Sequence, residues 1–349
     1  MSHGPSGGHG LVWQPLERSD LDDLDVLLTA IEHLDEPIEQ HSLARLYERF
    51  DEIDSDPEID TVLGRDAGGV PVAYGWARRV VFDVDPRRVY LSGGVHPGWR
   101  RQGIGSALLG WQIAAARRWF RDEWVEGHGP LRMICLVDDK LGEQRRLYER
   151  LGLQPVRWFA DLTRRLTDPL PDPTNPPGIR IIAMREDHVE AVRLAHNEAF
   201  ADHWGNQEID SDHWVEELTR STCRLTWSWI AVDESSSEVV GYVTNGAYEQ
   251  DWPAQGYRDG WTDRLGVRPA WRGRGIARAL LAASMRSYAE AGLEGAGLGV
   301  DTDHPTGAYG LYAEMGFAAT NTTVLYARDE SLEQVSEALD VAGPTAPTV

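Results

Sequence analysis

Cysteine is nearly absent: Cys135 and Cys223 are the only two in 349 residues, and they form no CxxC pair. A disulfide scaffold is excluded, and a reducing cytoplasm is the expected compartment. Basic charge is also short, with 34 Lys and Arg against 56 Asp and Glu, a net charge of −22. A nucleic-acid reader neutralises phosphates with a basic face, so no nucleic-acid partner is expected. An acidic surface draws cations instead, which suits a positively charged amine substrate. No apolar stretch reaches bilayer-spanning length, so no membrane partner is expected. Residues 1–10 are Gly- and His-rich without an apolar run, which reads as a flexible leader and not a signal peptide. His196, His203 and His213 lack the tight spacing of metal ligands, and no metal is expected.

What the chain does have is a break and a repetition. Residues 167–178 read TDPLPDPTNPPG, with Pro169, Pro171, Pro173, Pro176 and Pro177. Proline fixes φ and removes an N–H donor, so this segment is a semi-rigid linker. On either side the same string recurs: Val95-His-Pro-Gly-Trp-Arg-Arg-Gln-Gly-Ile-Gly105 and Val267-Arg-Pro-Ala-Trp-Arg-Gly-Arg-Gly-Ile-Ala277. A helix-period stripe follows each: Ile104, Leu108, Leu109, Ile113, and Ile276, Leu280, Leu281, Met285. Then a strand, a polar loop and a Leu-Tyr helix recur, at 133–137 with Leu147-Tyr148 and at 298–300 with Leu311-Tyr312. Matches in the same order indicate an internal duplication of about 150 residues per copy. Hairpin-linked strands precede each loop, at 61–65, 70–82 and 88–95, then at 228–232, 239–247 and 260–267. The expected class is mixed α/β (an α+β sheet in each copy). The expected organisation is a leader 1–10, a first domain 11–166, the linker 167–178, a second domain 179–330 and a fraying tail 331–349.

The repeated loop carries the chemistry. It follows a strand and opens a helix, whose first-turn N–H groups lack intrahelical partners and, with the helix dipole, form an anion site. Glycine permits close backbone approach, and arginine adds charge. Arg272, Gly273, Arg274, Gly275, Ile276 and Ala277 are therefore expected to hold a phosphate or pyrophosphate, as are Arg100, Arg101, Gln102, Gly103, Ile104 and Gly105. A P-loop is excluded because Gly-Lys-Ser/Thr is missing. A Rossmann fingerprint lacks its third small residue, since Arg278 and Leu108 stand at that place.

Both strings resemble the acetyl-CoA signature of the GNAT superfamily, Arg/Gln-x-x-Gly-x-Gly/Ala. The resemblance covers nearly all of the chain outside the linker and ends. It implies two tandem GNAT domains with acetyl-CoA as co-substrate. The loop amides would hold the coenzyme pyrophosphate. Leu265, Gly266 and Val267, with Gly93, Gly94 and Val95 in the first copy, would offer backbone groups to the pantetheine arm. Among tandem members the architecture is similar to mycothiol synthase and related actinobacterial acetyltransferases, a likeness suggested by the stretch Ala199-Phe-Ala-Asp-His-Trp-Gly205. The family pattern continues with Val-Asp, a polar loop with Asn, and a Tyr helix. Here it reads Val300-Asp301, with His304 in the place of Asn, and Tyr312.

The expected reaction is N-acetyl transfer to a primary amine of a small cationic molecule, by direct attack in a ternary complex. A lysine-like amine must first lose its proton, which costs about 4 kcal/mol at neutral pH. Tyr312 is the candidate acid for the departing thiolate. Strand alternation places Asp263 on one face with Trp261, Leu265 and Val267, and makes it the candidate base. Glu249 and Asp251 are its rivals. Leu91 stands at the same distance from the first loop, which marks the second copy as the catalyst and the first as a coenzyme binder or structural half. Phe200, His203 and Trp204 either line the acceptor pocket or pack. Neither cysteine has the partners of a nucleophile. A non-catalytic acyl-CoA-binding or sensing protein, another acyl group, and a hydroxyl acceptor are the alternatives. A monomer and a homodimer both fit.

Overall fold

The computed structural model describes residues 4–5, 10–52, 54, 56–81, 85–171, 174–201, 208–302 and 308–342. Its strands are β1 (Val12–Gln14), β2 (Thr61–Arg65), β3 (Pro71–Arg79), β4 (Arg87–Val95), β5 (Leu131–Asp138), β6 (Gln154–Arg165), β7 (Ile179–Ala183), β8 (Trp229–Asp233), β9 (Val239–Gly246), β10 (Asp259–Val267), β11 (Gly295–Asp301) and β12 (Ala318–Glu330). The chain forms two compact units, one from Met1–Trp158 with Thr323–Val349, the other from Phe159–Thr322.

In the first unit the sheet runs β1-β2-β3-β4-β5 and is completed by residues 323–330 of β12, antiparallel to β5. The helix Ile104–Asp122 covers one face. Its apolar stripe, Leu109, Ile113, Ala116 and Phe120, meets Val89, Leu91, Met133 and Tyr326. The helix Leu21–Asp35 covers the other, packing Leu21, Leu24 and Leu28 with Leu46 and Leu63. In the second unit the order is β7-β8-β9-β10-β11, completed by residues 159–165 of β6, antiparallel to β11. The helix Ile276–Glu290 buries Leu281, Met285 and Tyr288 on one face, and Val189–Phe200 with Ser211–Thr219 close the other around Val192, Trp214 and Tyr242.

Two features differ from the sequence reading. The copies were expected to be contiguous at 11–166 and 179–330, but the final strand of each crosses into the other unit. Alternation marks such strands as half-buried without specifying which sheet edge receives them, and either edge satisfies their backbone donors and acceptors. The segment after Glu330 was expected to fray from 331. Instead Leu332–Ala342 is a helix whose Val335 is fully buried in the first core, with Leu332 and Leu339 packed beside it. Their i, i+3, i+7 spacing is a helical stripe, too short to stand out in the sequence. No helix among the described residues is long and apolar enough to cross a membrane.

Candidate active site

Each unit opens its sheet at the same place. The parallel pairing of β10 with β11 covers only Asp259–Thr262 against Gly295–Leu298. Beyond it β10 follows β9, β11 follows β6, and the edge of β10 at Leu265, Gly266 and Val267 no longer meets β11. In the first unit β4 and β5 pair only across Arg87–Tyr90 and Leu131–Ile134. There the opening is a cavity of about 750 Å³ that reaches Gly93, Gly94 and Val95, the loop at Arg100–Gly105, and Tyr148. A split sheet offers unpaired backbone groups to an extended, peptide-like ligand.

The Arg/Gly loop ends at the helix N-terminus as expected. Gly275 caps the helix Ile276–Glu290 at φ 81°, and no side chain fills the cap. Gly273 also has positive φ, and a Cβ at either position would meet nothing within 4 Å. The first-turn amides of Ile276 and Ala277 thus face an open cradle suited to an anion. The first unit repeats this with Gly103 at φ 88°, while Arg101 takes the left-handed place of Gly273. Gln102 is exposed beside it, Ile104 is buried and Gly105 lies in the first turn. The arginines differ between the units. Arg272 donates to the carbonyl of Ala199 at 2.7 Å, and Arg274 lies 4.5 Å over the Trp271 ring. Arg100 is instead locked in two bonds, 2.6 and 2.8 Å, to the carboxylate of Asp35, and Arg101 reaches Glu143 at 3.1 Å. The loop of the second unit therefore keeps more uncompensated positive charge.

Asp263 sits where the second sheet parts, by a device that alternation does not reveal. Thr262 pairs with Asn245 and Arg264 with the adjacent Thr244, so Asp263 is the extra residue of a β-bulge. The bulge resets the faces. Thr262 points at Tyr288 of the covering helix, and Leu265 and Val267 pack with Ile276 and Leu280 on that same side. Asp263 lies on the opposite side, with Arg264 and Trp261. The expectation that Asp263 shares a face with Leu265 and Val267 is corrected accordingly. The Tyr248 hydroxyl donates to Asp263 Oδ1 at 2.8 Å, and the Tyr248 ring meets Trp261 edge-on at 6.4 Å. Oδ2 lies over Gly246, where a Cβ would approach to 2.8 Å. Asp263 is exposed to solvent on one side, and the protein packed around it removes part of the hydration of its carboxyl. That loss of hydration, with the nearby Glu217, pushes its pKa up to about 7, against the lowering effect of Tyr248, Arg264 and Arg220.

Tyr312 is on the helix Ala308–Glu314 that follows β11. It packs edge-on to Phe317 at 6.2 Å, and among the described residues its hydroxyl has no hydrogen-bond partner. Burial raises it to about 12, so it carries its proton throughout the neutral range. Glu249 is turned away into an exposed ion pair with Arg224 at 2.7 Å, and Asp251 starts the short helix Trp252–Gln255. Phe200, at the end of the helix Val189–Phe200, approaches Gly266 and lies tilted against His196 at 4.8 Å. His203, Trp204 and His304 lie outside the described residues. Burial raises both thiols, Cys223 to about 11, so neither is an anion at neutral pH. No cluster of metal-binding side chains occurs among the described residues.

In the first unit the site is built differently. The pair matching Asn245–Thr262 is Ala77–Leu91, in a ladder without a bulge, so Leu91 faces the core and Asp263 has no counterpart. Tyr148 occupies the place of Tyr312, accepting from Gln144 Nε2 at 2.8 Å and packing on Tyr326. The sequence reading missed Tyr248, Gly246 and Glu217, because the bulge that gathers them leaves no pattern in the residues themselves.

The model of the acetyltransferase (GNAT) family matches residues 27–153 and again 189–317. A mycothiol acetyltransferase of Salinispora tropica is 27% identical over 321 residues, covering 89% of this chain and 94% of its own. One from Thermobispora bispora is 29% identical over 238 residues, 67% of this chain and 74% of its own. Among solved structures, a GCN5-related N-acetyltransferase from Sphaerobacter thermophilus superposes with a TM-score of 0.73 at 23% identity, over 93% of this chain and 96% of its own. At that identity the superposition speaks for the fold alone.

Proposed function

Because the chain belongs to the GNAT acetyltransferase family, and so is an acyltransferase that uses acetyl-CoA, we propose that its second repeat acetylates a primary amine of a small cationic molecule. The observation that supports this reading is Asp263, a carboxyl raised to about 7 and presented by a bulge where the sheet opens. A base titrating near the working pH is matched to taking a proton from an ammonium. The cradle of Gly273, Arg274, Gly275, Ile276 and Ala277 would hold the pyrophosphate, and the free edge of Leu265, Gly266 and Val267 the pantetheine arm. When bound, acetyl-CoA supplies the thioester carbonyl that the amine nitrogen attacks. Asp263 removes the proton that the amine must lose, directly or through water, and passes it to solvent. As the C–S bond breaks, Tyr312, still protonated, would give its proton to the thiolate, and the second proton shed by the acylated nitrogen would return to the tyrosinate through solvent. No covalent enzyme intermediate is needed.

In the first repeat the cavity supports coenzyme binding without turnover, since the base has no counterpart there. The acidic surface favours a cationic acceptor, and the relatives named above place the acceptor of mycothiol acetyltransferases in the panel to be tried. The test is thiol release from acetyl-CoA against primary amines, with Asp263→Asn, Tyr312→Phe and Tyr148→Phe. Amine-dependent release that falls in the first two variants and survives in the third supports the reading. Release that falls only with Tyr148→Phe assigns the chemistry to the first repeat. Coenzyme binding with no amine-dependent release points to a sensing protein.

A further inference from the structure

Asp263 is gripped in a particular way. One oxygen accepts from the Tyr248 hydroxyl at 2.8 Å, while the other lies over the bare Cα of Gly246. Tyr248 is itself braced by Trp261, edge to face at 82°. The internal duplication provides a comparison within one chain. Gly241 and Ala73 face Val267 and Val95 at equivalent points of the two hairpins, which matches Gly246 to Arg78 and Tyr248 to Val80. In the first repeat Arg78 stacks 5.0 Å over Tyr90, where the second has a glycine facing Trp261. The hydroxyl, the glycine and the bulged carboxyl are thus all present in one repeat and all missing from the other. A tyrosine that merely filled space would not need to vary together with the acid.

We propose that Tyr248 is a positioning residue for acetyl transfer: its hydroxyl fixes Asp263 Oδ1 and leaves Oδ2, over Gly246, as the atom that takes the proton from the acceptor amine. This rests on the reading of Asp263 as the base. The bond also stabilises the ionised carboxylate, so Tyr248 holds the base in its working form at neutral pH. The other charged or titratable groups around Asp263 are Arg264 on its own strand, Glu217 and Arg220 from the neighbouring helical segment, Cys223, and Tyr288 across the sheet, which feels its charge.

The experiment is the pH dependence of kcat/KM for wild type, Tyr248→Phe and Asp263→Asn. Carbon-13 titration of the aspartate carboxyls in the coenzyme-free protein accompanies it. Loss of one hydrogen bond to a charged group should move the acidic limb up by about one pH unit. Activity is then about tenfold lower at pH 6 and close to wild type on the alkaline plateau. The Asp263 carbon signal should shift its midpoint in the same direction. A plateau that falls while limb and carbon midpoint stay in place would make Tyr248 a packing residue and overturn the proposal alone. If Asp263→Asn retains both the limb and the rate, the base assignment fails, and the role of Tyr248 with it. Tyr248→Phe keeps the ring against Trp261, and a circular dichroism melt unchanged from wild type separates these outcomes from misfolding.

Discussion

Replacing Asp263 by Asn should inactivate the protein and stabilise it at once. Loss of hydration pushes its carboxyl up to about 7 in the folded chain, against about 3.9 for a free aspartate. A raised acid binds its proton more tightly in the folded state, so folding is favoured at low pH. That advantage is lost as pH rises from about 4 through 7, and above 7 the folded state carries a poorly hydrated anion. A rise of that size corresponds to at most about 4 kcal/mol. The open side of the residue screens the charge and reduces this to about 1–2 kcal/mol. Asn keeps the shape and still accepts from Tyr248, so the gain should survive the substitution. At pH 8 the variant should melt about 3–6 °C higher than wild type, and near pH 4.5 the difference should shrink towards zero. Amine-dependent thiol release should fall about 10²–10⁴-fold. Equal melting temperatures at both pH values would refute the reasoning, because the carboxyl would then be as well hydrated in the fold as out of it.

Tyr312→Phe should lower kcat about tenfold or more with little change in KM for the coenzyme, measured by steady-state thiol release. Gly275→Ala places a methyl in the open cradle on a residue at φ 81°. Backbone strain should cost about 1 kcal/mol of stability, and the acetyl-CoA dissociation constant should rise at least tenfold by calorimetry. A fragment of residues 179–349 lacks β6, the partner of β11. It should give poorly dispersed amide spectra, and adding 154–166 ahead of it should restore folding of the second unit. Val335→Asp buries a charge in the first core. It should destabilise that unit by about 3 kcal/mol or more in urea denaturation, with no effect on residues around Asp263.

The residues that were legible beforehand are those whose role depends on local order. The loop at Arg272–Ala277 announces itself because a strand, two glycines and a helix start must follow one another in sequence, and the structure places each as expected. Tyr312 was singled out by the same local order, and it lies on the helix Ala308–Glu314 that follows β11. Asp263 was identified as an oddity among apolar neighbours, yet its direction was misread, since a bulge shifts every later side chain to the opposite face. Tyr248 and Glu217 were out of reach because they meet Asp263 only through cross-strand and helix packing. The crossing of β6 and β12 was hidden for a related reason: the alternation of a strand is the same whichever edge it joins.

On the proposed reading, the two repeats separate binding from chemistry within one fold. Both retain the split sheet and the helix N-terminus, which any ligand with a peptide-like arm and a phosphate requires. Among the differences where the sheet parts, one cross-strand pair sets the ladder. Ala77–Leu91 continues an apolar ladder into the core, with Gln112 donating to the carbonyls of Trp76 and Ser92 nearby. Asn245–Thr262 instead closes a buried network in which the Asn carbonyl accepts from both Thr262 and Tyr288, while its amide donates to Ser284. Such a network is costly to break once formed, because each member would be left buried without a partner. It anchors the ladder on the near side of the bulge, so the extra residue must project towards the opening. A bulge inserted into the first repeat without that network would find no such anchor. Reconstruction of the base there accordingly needs Ala77→Asn and Leu91→Thr, with hydrogen-bond partners for them on the helix Ile104–Asp122, as well as the inserted aspartate, and the aspartate alone should leave the first repeat without turnover.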